Sequence, residues 1–169
     1  MAFTTDNLIL DRQAILQKIT RMAFEIYERN FEEERLVLAG IHENGYLLAQ
    51  LLAKELKNVS PLPVDLMEVR LHKTQPLQHD LTLTPSPESL KGTVVVLVDD
   101  VLNTGKTLAY TLRAFLEKDC KKLEIATLVD RHHPLYPISA TYTGYSLATT
   151  LKEHVKVELN DETFGAYLM

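Results

Sequence analysis

The chain has 169 residues, enough for one domain with a sizeable core. Its 46% hydrophobic and 24% charged residues are the balance of a water-soluble globular protein and exclude a disordered or fibrous chain. A formal net charge of −5 without any Lys/Arg block argues against a broad nucleic-acid face, and a single cysteine excludes an internal disulfide framework.

No apolar stretch follows a basic start, and no run is long enough to span a membrane, so a cytoplasmic protein with no membrane partner is expected. Asp11 is placed to cap a helix running to about Asn30, whose apolar stripe includes Ile15, Ile19, Met22 and Ile26. Leu36 to Ile41 reads as a buried strand. The turn His42-Glu43-Asn44-Gly45 and an apolar helix from Tyr46 to Leu56 complete the first half of a βαβ unit. Val64 to Leu71 reads as the next strand. His72 to Ser89, with Pro76, Pro85 and Pro87, reads as a long loop or a loop with a weak hairpin, and its place before the central strand suits a lid.

The run Val94-Val95-Val96-Leu97-Val98 is what a strand buried on both faces looks like, and it stops at Asp99-Asp100. The turn Val101-Leu102-Asn103-Thr104-Gly105-Lys106-Thr107 leads into a helical pattern from Leu108 to Leu116. Cys120 reads as a half-buried thiol at the helix end, and Lys121-Lys122 as a solvated helix end. Leu123 to Val129 is a further buried strand. Residues 131–150 read as irregular, and Val155 to Leu159 as a last strand. The expected architecture is α/β: an open, mainly parallel sheet flanked by helices, with a small irregular hood and a flexible lid loop, all in one domain over residues 1–169.

Ligands of such sheets bind outside the carboxyl ends of the strands, and a helix N-terminus favours an anion. Two carboxylates would repel a phosphate, so they need hydroxyl groups or a metal ion on the same ligand. A sugar phosphate accompanied by magnesium satisfies both halves. A nucleoside-triphosphate P-loop would need a glycine five positions before Gly105, where this chain has Asp100. A strand end with an ordinary turn explains each part of the motif but not the combination.

The segment from Val94 to Thr107 resembles the phosphoribosyl-diphosphate (PRPP) motif of the type I phosphoribosyltransferases. Asp-Asp-Val-Leu-x-Thr-Gly-Lys-Thr, Leu128 to Ile138 and Ala140 to Gly144 narrow the likeness to the bifunctional pyrimidine-operon regulator and uracil phosphoribosyltransferase (PyrR) family. The resemblance implies that Asp99 and Asp100 are the catalytic pair on the ribose hydroxyls, with magnesium bound through PRPP and these two carboxylates as its candidate protein ligands. It implies that Asn103, Thr104, Gly105, Lys106 and Thr107 wrap the 5′-phosphate.

His42, Glu43, Asn44 and Gly45, with His72 and Lys73, would receive the diphosphate. Asp130, Arg131, Tyr142 and Thr143 would form the base pocket, Tyr142 by stacking. The diphosphate turn departs from the family's Lys-Thr-Arg-Gly. An alternative for it is a tight turn in which Gly45 supplies a positive φ. The 6-oxopurine enzymes carry an Asp where this chain has Asn103, which cannot accept a proton at neutral pH. Transfer to uracil is therefore the leading expectation. A nucleotide-sensing RNA-binding regulator and a purine phosphoribosyltransferase are the alternatives. PRPP and a nucleobase are the implied small-molecule partners. The apolar first helix and the family's habit imply a homo-oligomer.

Overall fold

The computed structural model describes residues 5–71 and 81–169. His72, Lys73 and the first half of the expected lid lie outside the described residues. After a short 3-10 turn, Thr5–Asn7, strand β1 (Leu8–Leu10) leads to helix α1 (Arg12–Asn30). The Asp11 carboxylate accepts from the Ala14 N–H at 2.8 Å, the capping bond expected of an Asp at that position.

Six strands form the main sheet. They are β2 (Leu36–Ile41), β3 (Val64–Arg70), β4 (Thr82–Thr84), β5 (Val94–Leu102), β6 (Lys122–Asp130) and β7 (Tyr142–Ser146). Their spatial order is β4-β3-β2-β5-β6-β7, parallel except for β4, which closes a hairpin on β3. Helices α2 (Asn44–Val59) and α3 (Lys106–Leu116) make the crossovers. The apolar run of β5 serves two cores at once. Val94, Val96 and Val98 join the core under α1 and α2, whereas Val95 and Leu97 join the core under α3.

Four expectations need correction. The central strand does not stop at the carboxylates but continues through them to Leu102, because Asp99, Val101 and Leu102 remain in register with β6. The stretch read as irregular contains β7, a parallel strand whose residues 142, 143, 145 and 146 pair with β6. Lys122 opens β6 rather than ending a helix, and its ammonium lies 3.1 Å from the Glu124 carboxylate. The hood is not irregular. It is a three-stranded antiparallel sheet in the order β1-β9-β8, built from β1, β8 (Val155–Leu159) and β9 (Phe164–Leu168). Only β8 alternates clearly in the sequence; β1 has three residues, and β9 lacks the alternation, its Gly165, Ala166 and Tyr167 being buried in succession.

Candidate active site

The chain leaves β2 toward β3 on one side and later returns to β5 on the other. The sheet therefore reverses direction between β2 and β5, and the crevice at their carboxyl ends is where such a fold holds its ligand. The turn His42–Gly45 follows β2 there and the turn Asn103–Gly105 follows β5. The two turns are packed against one another's strands. A Cβ on Gly45 would come within 2.9 Å of the Val98 carbonyl oxygen and 3.2 Å of the Asp99 Cα. Gly45 is thus small because β5 lies against it. The positive φ of this turn falls on Glu43 instead, at φ 70° and ψ −120°, a conformation that costs a non-glycine residue on the order of 1–3 kcal/mol. Such strain is held where the surroundings over-determine it, commonly beside a ligand site.

The turn after β5 is built for an anion. Gly105 sits at φ 84° and leads directly into α3. The first intrahelical bond is Ala109 N–H to the Gly105 carbonyl, so the N–H groups of Lys106, Thr107 and Leu108 have no helical acceptor. The Thr104 carbonyl accepts from the N–H groups of Leu135 and Tyr136 at 3.0 and 3.1 Å, which anchors the turn to the next loop. A cradle of about 100 Å³ results, lined by Asp99 and by residues 101–108. Asn103, Thr104, Gly105, Lys106 and Thr107 all line it. The Lys106 N–H donates to the Thr104 hydroxyl at 3.3 Å, and the helix dipole with the Thr107 and Leu108 amides favours a phosphate there.

Asp99 and Asp100 stand beside this cradle. The Asp99 Oδ1 accepts from the Asp100 N–H, and the Asp100 Oδ1 from the Val101 N–H, both at 2.9 Å. Burial, then the adjacent Asp100 charge, holds the Asp99 carboxyl well above the ordinary aspartate range. Burial also raises Asp100, opposed by hydrogen bonds that include the Asn44 amide. The Asn44 Nδ2 also donates to the Val157 carbonyl of the hood at 2.7 Å. Asn44 therefore links the first turn, the acid pair and the hood.

The turn after β2 carries a network that sequence reading missed. The His42 Nδ1 lies 2.5 Å from Glu68, and Arg70 Nε approaches the other Glu68 oxygen at 3.3 Å. Hydrogen bonding with His42 holds the Glu68 carboxyl below its usual range. Arg70, at the end of β3 beside β2, is a cation that its place within a strand pattern concealed.

Arg131 closes the opposite side. It is 4% exposed and spends its guanidinium on the protein. The Nη1 donates to the Asn103 Oδ1 at 2.8 Å, Nε to the Thr149 hydroxyl at 3.0 Å, and Nη2 to the Glu153 carbonyl. Between these groups and the hood lies a cleft of about 300 Å³. It is lined by Asn44, Asp100, Val101, Asn103 and Arg131 on one side and residues 154–157 on the other. The hood strand β8 was not among the expected base-pocket residues.

Three of the expected base-pocket residues do not line the cleft. Tyr142 is buried in the core, where its hydroxyl donates to Glu124 and accepts from the Asn30 amide at 3.2 Å, so it has no face free for stacking. Burial and the Glu124 carboxylate hold its phenol well above the ordinary range. The Thr143 carbonyl accepts from Arg21 at 3.1 Å at the outer edge of the sheet, and is not available to read a base. Asp130 serves the turn after β6, its Oδ1 accepting from the His132 N–H at 2.9 Å. Cys120 is half-buried, and burial raises its thiol, so it has none of the features of a nucleophile.

An anion cradle, an adjacent half-buried acid pair and a roofed cleft are the parts of a site for a sugar phosphate and a second ligand. Residues 7–162 match the phosphoribosyl transferase domain family. The chain is 38% identical over 160 residues to the bifunctional protein PyrR of Pelotomaculum thermopropionicum, covering 90% of this chain and 88% of that one. It is 36% identical over 161 residues to the PyrR of Brevibacillus brevis, covering 90% and 89%. The hypoxanthine phosphoribosyltransferase of Trypanosoma cruzi shares the fold with a TM-score of 0.80 at 18% identity, over 96% of this chain and 95% of that one. The chain belongs to the phosphoribosyltransferase family, on the branch of the bifunctional PyrR proteins.

Proposed function

We propose that this enzyme transfers the 5-phosphoribosyl group of PRPP to uracil, giving uridine monophosphate and diphosphate. The observation that carries this reading is the acid pair Asp99-Asp100, set directly between the anion cradle of residues 103–107 and the cleft under the hood. In the reaction the bond from the ribose C1′ to the diphosphate oxygen breaks, its electron pair leaving with diphosphate, and a bond from C1′ to N1 of uracil forms, while the N1 proton passes to solvent. The transition state resembles an oxocarbenium ion, by analogy with glycoside hydrolysis. The protein's work is then mainly to position and to exclude water. The turn amides and the Thr104 and Thr107 hydroxyls hold the 5′-phosphate. Asp99 and Asp100 hold the ribose hydroxyls, and the hood covers the base.

The residues present fit a magnesium ion that arrives with its substrate. Two carboxylates stand here, and no group of three or more metal-ligating side chains exists among the described residues. Magnesium characteristically takes one or two carboxylates and completes its shell with substrate phosphates and water. When bound, it neutralises the charge of the leaving diphosphate.

His42, Asn44 and Arg70 are the described side chains best placed to receive that diphosphate. We assign the protein to the cytoplasm and to a homo-oligomer, the latter supported by Phe24 and Phe31 at the outer surface of α1 and its end, 53% and 62% exposed. The net charge of −5 supports small molecules rather than RNA as the first partners. The test is diphosphate release from PRPP and magnesium with a panel of bases. Release with uracil is expected. Release with hypoxanthine or guanine and not with uracil refutes the base assignment, and no release with any base refutes the transferase.

A further inference from the structure

The Asn103 side chain stands where three cavities meet. It lines the phosphate cradle, the cleft under the hood and a third groove toward His133 and Leu135. An amide can ordinarily present either its oxygen or its nitrogen to a ligand, and coordinates alone do not distinguish them. Here chemistry decides. The Arg131 guanidinium has donors and no acceptor, so the Asn103 atom 2.8 Å from it must be the oxygen.

Arg131 in turn cannot swing away to release that oxygen. It is 4% exposed and fixed by the Thr149 hydroxyl and the Glu153 carbonyl. The Asn103 Nδ2 is therefore directed away from Arg131, and it has no hydrogen-bond partner among the described residues. Asn103 itself is exposed.

We infer that Asn103, locked by Arg131, is a specificity-determining residue that presents an N–H donor to the nucleobase. The ligand class follows: a 2-oxopyrimidine, whose carbonyl oxygen flanks the reacting ring nitrogen and accepts this bond. As the ring nitrogen loses its proton and forms its bond to C1′, negative charge on the ring spreads to that oxygen, so the donor is worth more in the transition state than in the ground state. A purine that presents a ring N–H at the same place meets a donor instead of an acceptor, and Asn103 has no free oxygen with which to take its proton. Arg131 is the positioning residue, since it fixes the amide without touching the base.

The inference rests on the transferase reading and is tested so that the two can fail separately. Asn103→Asp keeps the size and an oxygen for Arg131 while exchanging the donor for an acceptor. It is expected to lower kcat/KM for uracil roughly ten- to hundredfold, the weight of one hydrogen bond replaced by two opposed acceptors. Asn103 also lines the phosphate cradle, so an added carboxylate can raise the KM for PRPP too, and the donor is read from the uracil-to-hypoxanthine ratio of kcat/KM, in which the PRPP contribution cancels. Arg131→Gln is expected to lower the uracil-to-hypoxanthine preference. Its melting temperature separates loss of preference from loss of fold.

A uracil-to-hypoxanthine ratio for Asn103→Asp within about twofold of the parent's overturns the assignment. If the parent releases diphosphate with no base, the transferase reading falls. The donor is then tested by titrating uridine and inosine monophosphates into parent and variant. A preference for the uridine nucleotide that Asn103→Asp abolishes upholds the donor. An unchanged preference, or no binding of either nucleotide to the parent, overturns it.

Discussion

At the scale of single residues, the acid pair sets function against stability. The Asp99 carboxyl is held well above its ordinary value of about 3.8, chiefly by burial, and Asp100 is raised as well. The folded chain thus keeps protons that the unfolded chain has already lost, and it binds more protons in the window above the ordinary aspartate range. Stability falls with rising pH wherever the folded state binds more protons, so the melting temperature of the ligand-free protein should decline across that window. PRPP affinity should rise over the same window, because ribose hydroxyls and magnesium need the ionised pair.

Asp99→Asn is expected to raise the melting temperature at neutral pH, flatten its pH slope and lower kcat/KM roughly ten- to hundredfold. A variant less stable than the parent at neutral pH would show that the pair is structural. Tyr142 gives the converse case. Tyr142→Phe should cost about 1–3 kcal/mol in urea unfolding, since it strips a hydrogen bond from the buried Glu124. The KM for uracil should stay within about twofold. A tenfold rise in that KM with unchanged stability would restore Tyr142 to the base site.

At the scale of elements, the site depends on how closely the two turns approach. Gly45 lies against the backbone of Val98 and Asp99 at distances a methyl group cannot share without displacement. Gly45→Ala should therefore shift the acid pair as well as strain the packing of α2 on β5, costing about 1–3 kcal/mol in unfolding free energy. The KM for PRPP should rise roughly tenfold, and an unchanged KM would mean that β5 yields elsewhere. The motif around Asp99 was legible in the sequence because it is contiguous: a strand pattern, two acids and a helix start within one short stretch. Helix α1 was legible for the same reason, through its Asp11 cap and its apolar stripe. The Arg131 clasp and the His42–Glu68–Arg70 network join residues distant in sequence, and nothing in local spacing marks such pairs. Tyr142 misled because an aromatic in a matched segment looks alike whether its strand faces the core or the crevice. What decides the question is the face it takes: Tyr142 opens the edge strand β7 and turns into the core beside α1, toward Asn30 and Glu124.

At the scale of the whole molecule, the two halves of the proposed site come from different parts of the chain. The phosphate cradle belongs entirely to β5, its turn and α3, within the main sheet. The roof of the base cleft belongs to β8, whose antiparallel sheet is completed by β9 and by β1 from the other end of the chain. Arg12 stacks on the Phe164 ring with its guanidinium carbon 4.6 Å from the centroid, and this contact ties the hood to α1. A two-stranded ribbon alone is marginal in water, so the hood needs its third strand. Removing residues 1–9 should leave the main sheet folded but loosen β8 and β9. Leu10, which is buried in the core, remains. The KM for uracil is expected to rise roughly tenfold while the KM for PRPP changes by less than about threefold, with a modest fall in melting temperature. Equal rises in the two constants would mean that the hood also shapes the phosphate cradle. Unchanged kinetics would mean that β8 holds its place through Asn44 and Arg131 alone.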